Sequence, residues 1–213
     1  MNIDGLLKYP LLLGALLVAG CATPAPDSPP DPSMAVPESD ADRTYLGLDA
    51  ERDRFLLEDI HAEILVIDCF DMYCHACQTG AKHVNELYTM VREHGLGPRI
   101  KFIGLGINNT PLETDTFRRK FKVPFPSFPD RRRDISNQFG RVRLPSILVL
   151  RSREGTWEVM HQTTGTFTDP EELFMRILED VGAEQRLPDS QQTAGAACVI
   201  EGCLPAGSVG TKR

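Results

Sequence analysis

The sequence predicts an α/β protein: a single domain built on a central mixed sheet with flanking helices. Two observations predict this. Short apolar, β-branched runs alternate with stretches of helical period, which implies βαβ units and a partly parallel sheet. A hairpin signal, Glu154-Gly155, then separates two further strand-like runs and adds antiparallel strands.

Taken in order, Arg54-Phe55-Leu56-Leu57 reads as a short edge strand. Ile64–Phe70 is apolar and β-branched throughout, so it is a buried strand. Ala76–His94 is a helix. Ala81, Val84, Leu87, Tyr88 and Val91 recur every three or four residues, and Gly95 follows as a C-cap. Ile100–Ile107 is a second buried strand. Glu113–Phe121 is a helix with Pro111 near its start, and Asp134–Phe139 a short helix. Ser146–Leu150 and Thr156–Thr163 are strands; Trp157, Val159 and His161 alternate along the second and read as one sheet face. Thr168-Asp169-Pro170 opens a last helix to about Val181, with a cap residue and a proline where each is favoured.

Composition narrows the function classes. The chain has 213 residues and a formal charge of −7, which argues against a nucleic-acid binder, normally basic. Hydrophobic residues make up 41% and charged residues 25%, ordinary globular values that argue against whole-chain disorder. Six Cys are too few for a cysteine-stapled scaffold, and their uneven placement asks for separate explanations.

Sustained apolar periodicity is confined to residues 44–182. Upstream, residues 1–20 read as a secretory signal peptide, because the apolar run Tyr9–Val18 is too short to span a bilayer. The run ends in Leu17-Val18-Ala19-Gly20-Cys21, which resembles the lipobox of bacterial lipoproteins. That resemblance implies cleavage before Cys21, its lipidation, and an extracytoplasmic, membrane-anchored protein, facing the periplasm if the source has two membranes. Residues 21–43 follow as lipid anchor and tether. Between Ala22 and Asp40 lie six Pro and four acids but no base, a composition that favours an extended chain. Residues 183–213 form a polar tail carrying Cys198 and Cys203.

Cys74-His75-Ala76-Cys77 carries the chemistry. It follows the buried strand Ile64–Phe70 and opens a helix, where backbone N–H groups and the macrodipole favour an anion. The Cys74 thiol is therefore expected to be acidified, and the thiolate is the attacking species. Cys77, one turn on, lies on the same side and can resolve a mixed disulfide at Cys74.

These residues resemble the thioredoxin superfamily and, within it, the TlpA/ResA-like extracytoplasmic thiol–disulfide oxidoreductases. Asp68 lies six positions before the first Cys, where thioredoxins carry a buried acid. Tyr73 stands where Trp is usual. Arg143-Leu144-Pro145-Ser146 resembles the family's cis-Pro loop, and Gly165 its glycine before the last helix. Ile100–Asn108 with Phe125–Asp130 resembles the insert of TlpA-like and peroxiredoxin-like members. The resemblance covers about residues 50–182 and implies a thioredoxin fold. It implies Cys74 as nucleophile, Cys77 as resolving cysteine and Asp68 as proton acceptor. Leu144 and Pro145 would present a substrate groove by β-augmentation. The dipeptide departs from the family: His75-Ala76 replaces the Gly-Pro of thioredoxin. His75, Ala76 and Tyr73 are therefore the tuning positions, with His75 either stabilising the Cys74 thiolate or facing solvent to little effect. The implied substrates are cysteine-containing proteins and the implied electron source a membrane redox partner, with no cofactor and no metal. A reducing role is what the TlpA/ResA-like resemblance implies.

The remaining cysteines and histidines read more plainly. Cys69 follows Asp68 along the strand and so faces the opposite way, as an inert core thiol. Cys198 and Cys203 are best read as a small second disulfide in an oxidising compartment, with an electron relay to Cys74–Cys77 or half of a zinc site as alternatives. His61, His83, His94 and His161 show no metal spacing, and Arg131-Arg132-Arg133 reads as a solvated loop. Two other functions compete: a thioredoxin-fold copper-binding or delivery protein, and a thiol peroxidase.

Overall fold

The computed structural model describes residues 30–49 and 51–182. Residues 1–20, read as a signal peptide, Cys21, the start of the stretch read as tether, and the tail with Cys198 and Cys203 lie outside the described residues.

From Asp31 onward the described residues form seven strands and four α-helices. They are β1 (Met34–Ala35), α1 (Asp40–Leu46), β2 (Arg54–Phe55), β3 (Ile64–Phe70), α2 (His75–Glu93), β4 (Ile100–Ile107), α3 (Pro111–Lys120), β5 (Ser127–Asp130), β6 (Ser146–Arg153), β7 (Thr156–Thr164) and α4 (Pro170–Gly182). Two short 3-10 turns, Leu57–Asp59 and Ser136–Phe139, complete the order. β3 to β7 form a five-stranded sheet in the order β5-β4-β3-β6-β7. β4 runs parallel to both β3 and β5, whereas β6 is antiparallel to β3 and to β7. The mixed sheet with flanking helices is the architecture the sequence predicts.

β3 holds the centre because every one of its residues is buried, the mark of a strand covered on both faces. Its alternate residues feed two cores. Ile64, Val66 and Phe70 pack with Val84, Leu87 and Val91 of α2, Phe117 of α3, and Leu173, Phe174 and Ile177 of α4. Leu65, Ile67 and Cys69 pack on the other face with Met34, Leu46, Phe55, Leu57, Ile135 and Val142.

Four sequence expectations give way. Residues 31–43, read by composition as extended tether, contain β1 and most of α1. Met34 and Leu46 are buried, Ser39 caps α1 by accepting from the Asp42 amide, and Gly47 ends it at φ +73°. Isolated apolar residues in a proline-rich stretch carry no periodicity, so composition alone misses them. The short edge strand read over Arg54–Leu57 shrinks to two residues. Arg54 and Phe55 pair with β1 in a separate two-stranded ribbon, and a 3-10 turn follows from Leu57. β5 is absent from the predicted order because Ser127–Asp130 is four residues with a proline inside, a poor strand signal. Finally, Trp157, Val159 and His161 do not share one face. A register shift pairs Leu150 with Val159 but Val149 with His161. The extra residue, Met160, flips the alternation. Trp157 donates its indole N–H to the Leu57 carbonyl at 2.8 Å, while His161 meets Asp180 of α4 at 2.6 Å.

Among the described residues no helix is long and apolar enough to cross a membrane.

Candidate active site

β3 delivers the chain to the site, and a three-residue turn, Asp71–Tyr73, precedes α2. The Asp71 carbonyl accepts from the Cys74 amide at 3.0 Å. Cys74 is the N-cap of α2, so its side chain occupies the place where the first helical N–H groups converge. Its Sγ accepts from the Cys77 amide at 3.2 Å, and its carbonyl accepts from the Gln78 amide at 3.0 Å. Cys74 and Cys77 form a disulfide with Cα atoms 5.2 Å apart. Cys77 is buried against the first core, whereas Cys74 is part exposed. Of the pair, the Cys74 sulfur is the outer one and the Cys77 sulfur the inner.

Asp68 lies two residues before Phe70 on β3, on the face that packs against α2. It is only 6% exposed, so a solvent-facing acid is ruled out. Burial pushes its carboxyl up to about 7. Its strand neighbours across the sheet are Gly104 and Ile147. Cys69 points into the second core, and burial raises its thiol further above the ordinary range. A protonated, buried thiol is a poor nucleophile.

Leu144–Pro145 is a cis peptide. Ser146 pairs with Cys69, which places the loop beside the chain leaving β3 for Cys74. The Pro145 carbonyl accepts from the Gly165 amide at 2.9 Å, and Gly165 has φ +98°, a backbone region that favours glycine. The end of β7 thus holds the loop in place. Leu144 packs against both cores.

Of the tuning positions, His75 is exposed and its ring makes no hydrogen bond among the described residues, and Ala76 is half-buried. Tyr73 is 75% exposed yet anchored, because its hydroxyl donates to Glu113 Oε1 at 2.7 Å. Glu113 also closes a capping box on α3, accepting from the Thr110 amide at 2.7 Å. The Thr110 amide, then the Tyr73 hydroxyl, hold the Glu113 carboxyl below its usual range, and the Tyr73 phenol is raised in turn.

Four residues around the site escape the sequence reading: Asp71, Gln78, Asn109 and Glu113. Asn109 is 1% exposed and reaches across from the β4–α3 junction. Its Oδ1 accepts from the Met72 amide at 2.9 Å, and its Nδ2 donates to Asp71 Oδ1 at 3.3 Å. Gln78 Nε2 donates to the Met72 carbonyl at 2.7 Å. The signal for Glu113 is present in the sequence, since Thr110-Pro111-x-Glu113 is a helix-start pattern. Nothing in the sequence ties Asn109 to a segment 37 residues away.

No family model matches the chain. Among curated proteins it is similar to the thiol-disulfide oxidoreductase ResA of Geobacillus kaustophilus, 23% identical over 125 residues, covering 59% of this chain and 67% of that protein. It is also similar to the ResA of Halalkalibacterium halodurans, 22% identical, covering 65% of this chain and 81% of that protein. The match to the Geobacillus thermodenitrificans ResA, 22% identical, spans 56% of this chain but only 65% of that relative's length. Among solved structures, one from Chlorobium tepidum assigned as the thiol:disulfide interchange protein DsbE superposes with TM-score 0.51 at 17% identity, covering 62% of this chain and 89% of that one. A thiol:disulfide interchange protein from Bacteroides sp. superposes at 0.50 and 12%, covering 72% of this chain and 90% of that one. With its CxxC at the head of α2 and its cis-proline loop alongside, the chain has a thioredoxin-like fold and is similar to the ResA thiol-disulfide oxidoreductases.

Proposed function

We propose that this chain is a membrane-anchored, extracytoplasmic thiol–disulfide oxidoreductase that acts as a reductant of protein disulfides. The observation that carries the reading is Cys74 standing as the N-cap of α2, its Sγ accepting from the Cys77 amide. That amide and the helix dipole stabilise a thiolate at the part-exposed sulfur.

In the reduced state the Cys74 thiolate attacks one sulfur of a substrate disulfide. A Cys74–substrate bond forms, the substrate bond breaks, and a substrate thiolate leaves. Asp68 takes the Cys77 proton, directly or through water. The Cys77 thiolate then attacks Cys74 Sγ and expels the second substrate thiolate. Two electrons pass from the cysteine pair to the substrate, leaving the Cys74–Cys77 disulfide. A membrane dithiol partner returns the two electrons by the same exchange in reverse. Leu144 and Pro145 offer backbone to an extended substrate segment. Lipidated Cys21 supplies the anchor, and Cys198 and Cys203 close a second, structural disulfide.

The test is a redox titration of Cys74–Cys77 against defined thiol buffers, with Cys198 and Cys203 replaced by Ser, read by alkylation mass. A reversible two-electron transition near thioredoxin's, about −270 mV, together with reduction of a model protein disulfide that Cys74→Ser abolishes, supports the reading. A potential near −120 mV makes the protein an oxidant instead. A chain with no reversible transition is not an oxidoreductase.

A further inference from the structure

The turn that presents Cys74 is held both by α2 and by residues of the β4–α3 junction. Met72 is gripped on both backbone atoms, its amide by Asn109 Oδ1 and its carbonyl by Gln78 Nε2. Asn109 also reaches the Asp71 carboxylate, whose neighbouring carbonyl receives the Cys74 amide. Tyr73, the residue beside the nucleophile, is tied by its hydroxyl to Glu113. Asn109 and Glu113 thus reach the redox turn from the β4–α3 junction.

The junction is shaped for this. Asn108 adopts φ +60°, turning the chain sharply out of β4 so that Asn109 points beneath the Asp71–Tyr73 turn. Gly106 leaves the room: a Cβ there would stand 2.5 Å from Thr114 Oγ1 and 3.2 Å from Asn109 Cβ. Thr110 and Pro111 start α3 and fix Glu113 in its capping box. The Phe70 and Phe117 rings, stacked with centroids 3.9 Å apart, lock α3 to the end of β3. A buried amide with both its donor and acceptor spent on one three-residue turn is a costly arrangement to leave half-made, since each lost partner strands a buried polar group.

We propose that Asn109, seconded by Glu113 through Tyr73, is a positioning residue that sets the reactivity of Cys74. It does so by fixing the Asp71–Tyr73 turn and so the seat of the Cys74 sulfur at the head of α2. The inference rests on the oxidoreductase reading above. Once the turn is released, Cys74 Sγ leaves the Cys77 amide and the thiolate loses its donor. The reduced form is then less stabilised and the pair becomes more reducing.

The test uses the full chain in two series. In Asn109→Ala the pH of half-maximal Cys74 alkylation is expected to rise by about one unit. The equilibrium constant with glutathione is expected to move up to tenfold, about 30 mV more negative. Asn109→Asp keeps the acceptor for the Met72 amide but sets a second carboxylate against Asp71. Its Cys74 reactivity is expected to match the parent at pH 5 and to fall toward the Ala variant at pH 8. Tyr73→Phe and Glu113→Ala are expected to shift in the same direction by less. If Asn109→Ala alkylates and equilibrates as the parent does, the inference is overturned. If that variant does not fold, the Asp variant decides: a parent-like profile across pH overturns it. A parent chain with no reversible transition sinks the oxidoreductase reading alone, because Cys74 alkylation still reads the clamp.

Discussion

The Cys77 amide donates to Cys74 Sγ across 3.2 Å, so the backbone of the proposed resolving cysteine touches the sulfur that its own thiolate would later attack. The two roles are separable by substitution. Cys74→Ser is expected to abolish reduction of a protein disulfide altogether. Cys77→Ser keeps the attacking thiolate and its amide donor, so it is expected to stop after one exchange and accumulate a covalent Cys74–substrate adduct. Mass spectrometry under non-reducing conditions checks both. An adduct mapped to Cys77 in Cys74→Ser would reverse the assignment.

Asp68 predicts a stability profile of unusual sign. Its carboxyl sits near 3.8 in an unfolded chain and about 7 when buried in β3. A raised acid makes the native state hold more protons than the unfolded state between those values, so stability falls as pH rises through that window. At about 1.4 kcal/mol per pH unit, the ionised carboxylate costs on the order of 4 kcal/mol above pH 7. Asp68→Asn removes the charge with little change in shape. It is expected to be more stable than the parent at pH 8, with the difference vanishing near pH 4. The same variant is expected to slow resolution by Cys77 near neutral pH, where the carboxylate would take the proton. Urea midpoints across pH 4–8 check the first claim, and the lifetime of the mixed disulfide the second.

The main strands and α2 are legible in the sequence because each carries a strong local pattern. β3 is an unbroken apolar run, and α2 repeats Ala81, Val84, Leu87 and Val91 down one face. The site is legible where spacing encodes it: the cysteine pair, Asp68, and a proline just before β6. The rest depends on distant partners. Asn109 looks like any loop asparagine until the fold sets it under Met72. Met34 looks like part of a linker until β2 pairs with β1. The bulge at Met160 breaks an alternation that the sequence carries intact.

Gly106 offers an independent handle on the β4–α3 junction. A methyl at this position meets Thr114 Oγ1 at 2.5 Å, and Thr114 is buried and branched, so it cannot swing clear. Gly106→Ala is expected to cost about 1–3 kcal/mol, as overpacked cores do. Its expansion pushes on Asn109, so Cys74 alkylation at neutral pH is expected to slow as well. A stability loss with unchanged alkylation would show that the junction yields without moving the Asp71–Tyr73 turn.

The domain's lower boundary is the last point open to measurement. The periodic pattern begins at Thr44, but the fold begins near Asp31. Met34 and Leu46 are buried in the second core, and Asp42 of α1 receives both Arg118 Nη atoms of α3, at 2.7 and 3.0 Å. Tyr45, half-buried, adds a hydroxyl that accepts from the Phe102 amide at 2.7 Å, joining α1 to β4. A chain beginning at Thr44 keeps Tyr45 and Leu46 but loses the first turn of their helix, the strand that pairs with β2, and the partner of a half-buried arginine. Leu46→Ala is expected to cost about 2–5 kcal/mol, as for other buried leucines. A chain starting at Thr44 is expected to unfold at lower urea than one starting at Asp31. Equal midpoints for the two would return residues 31–43 to the tether.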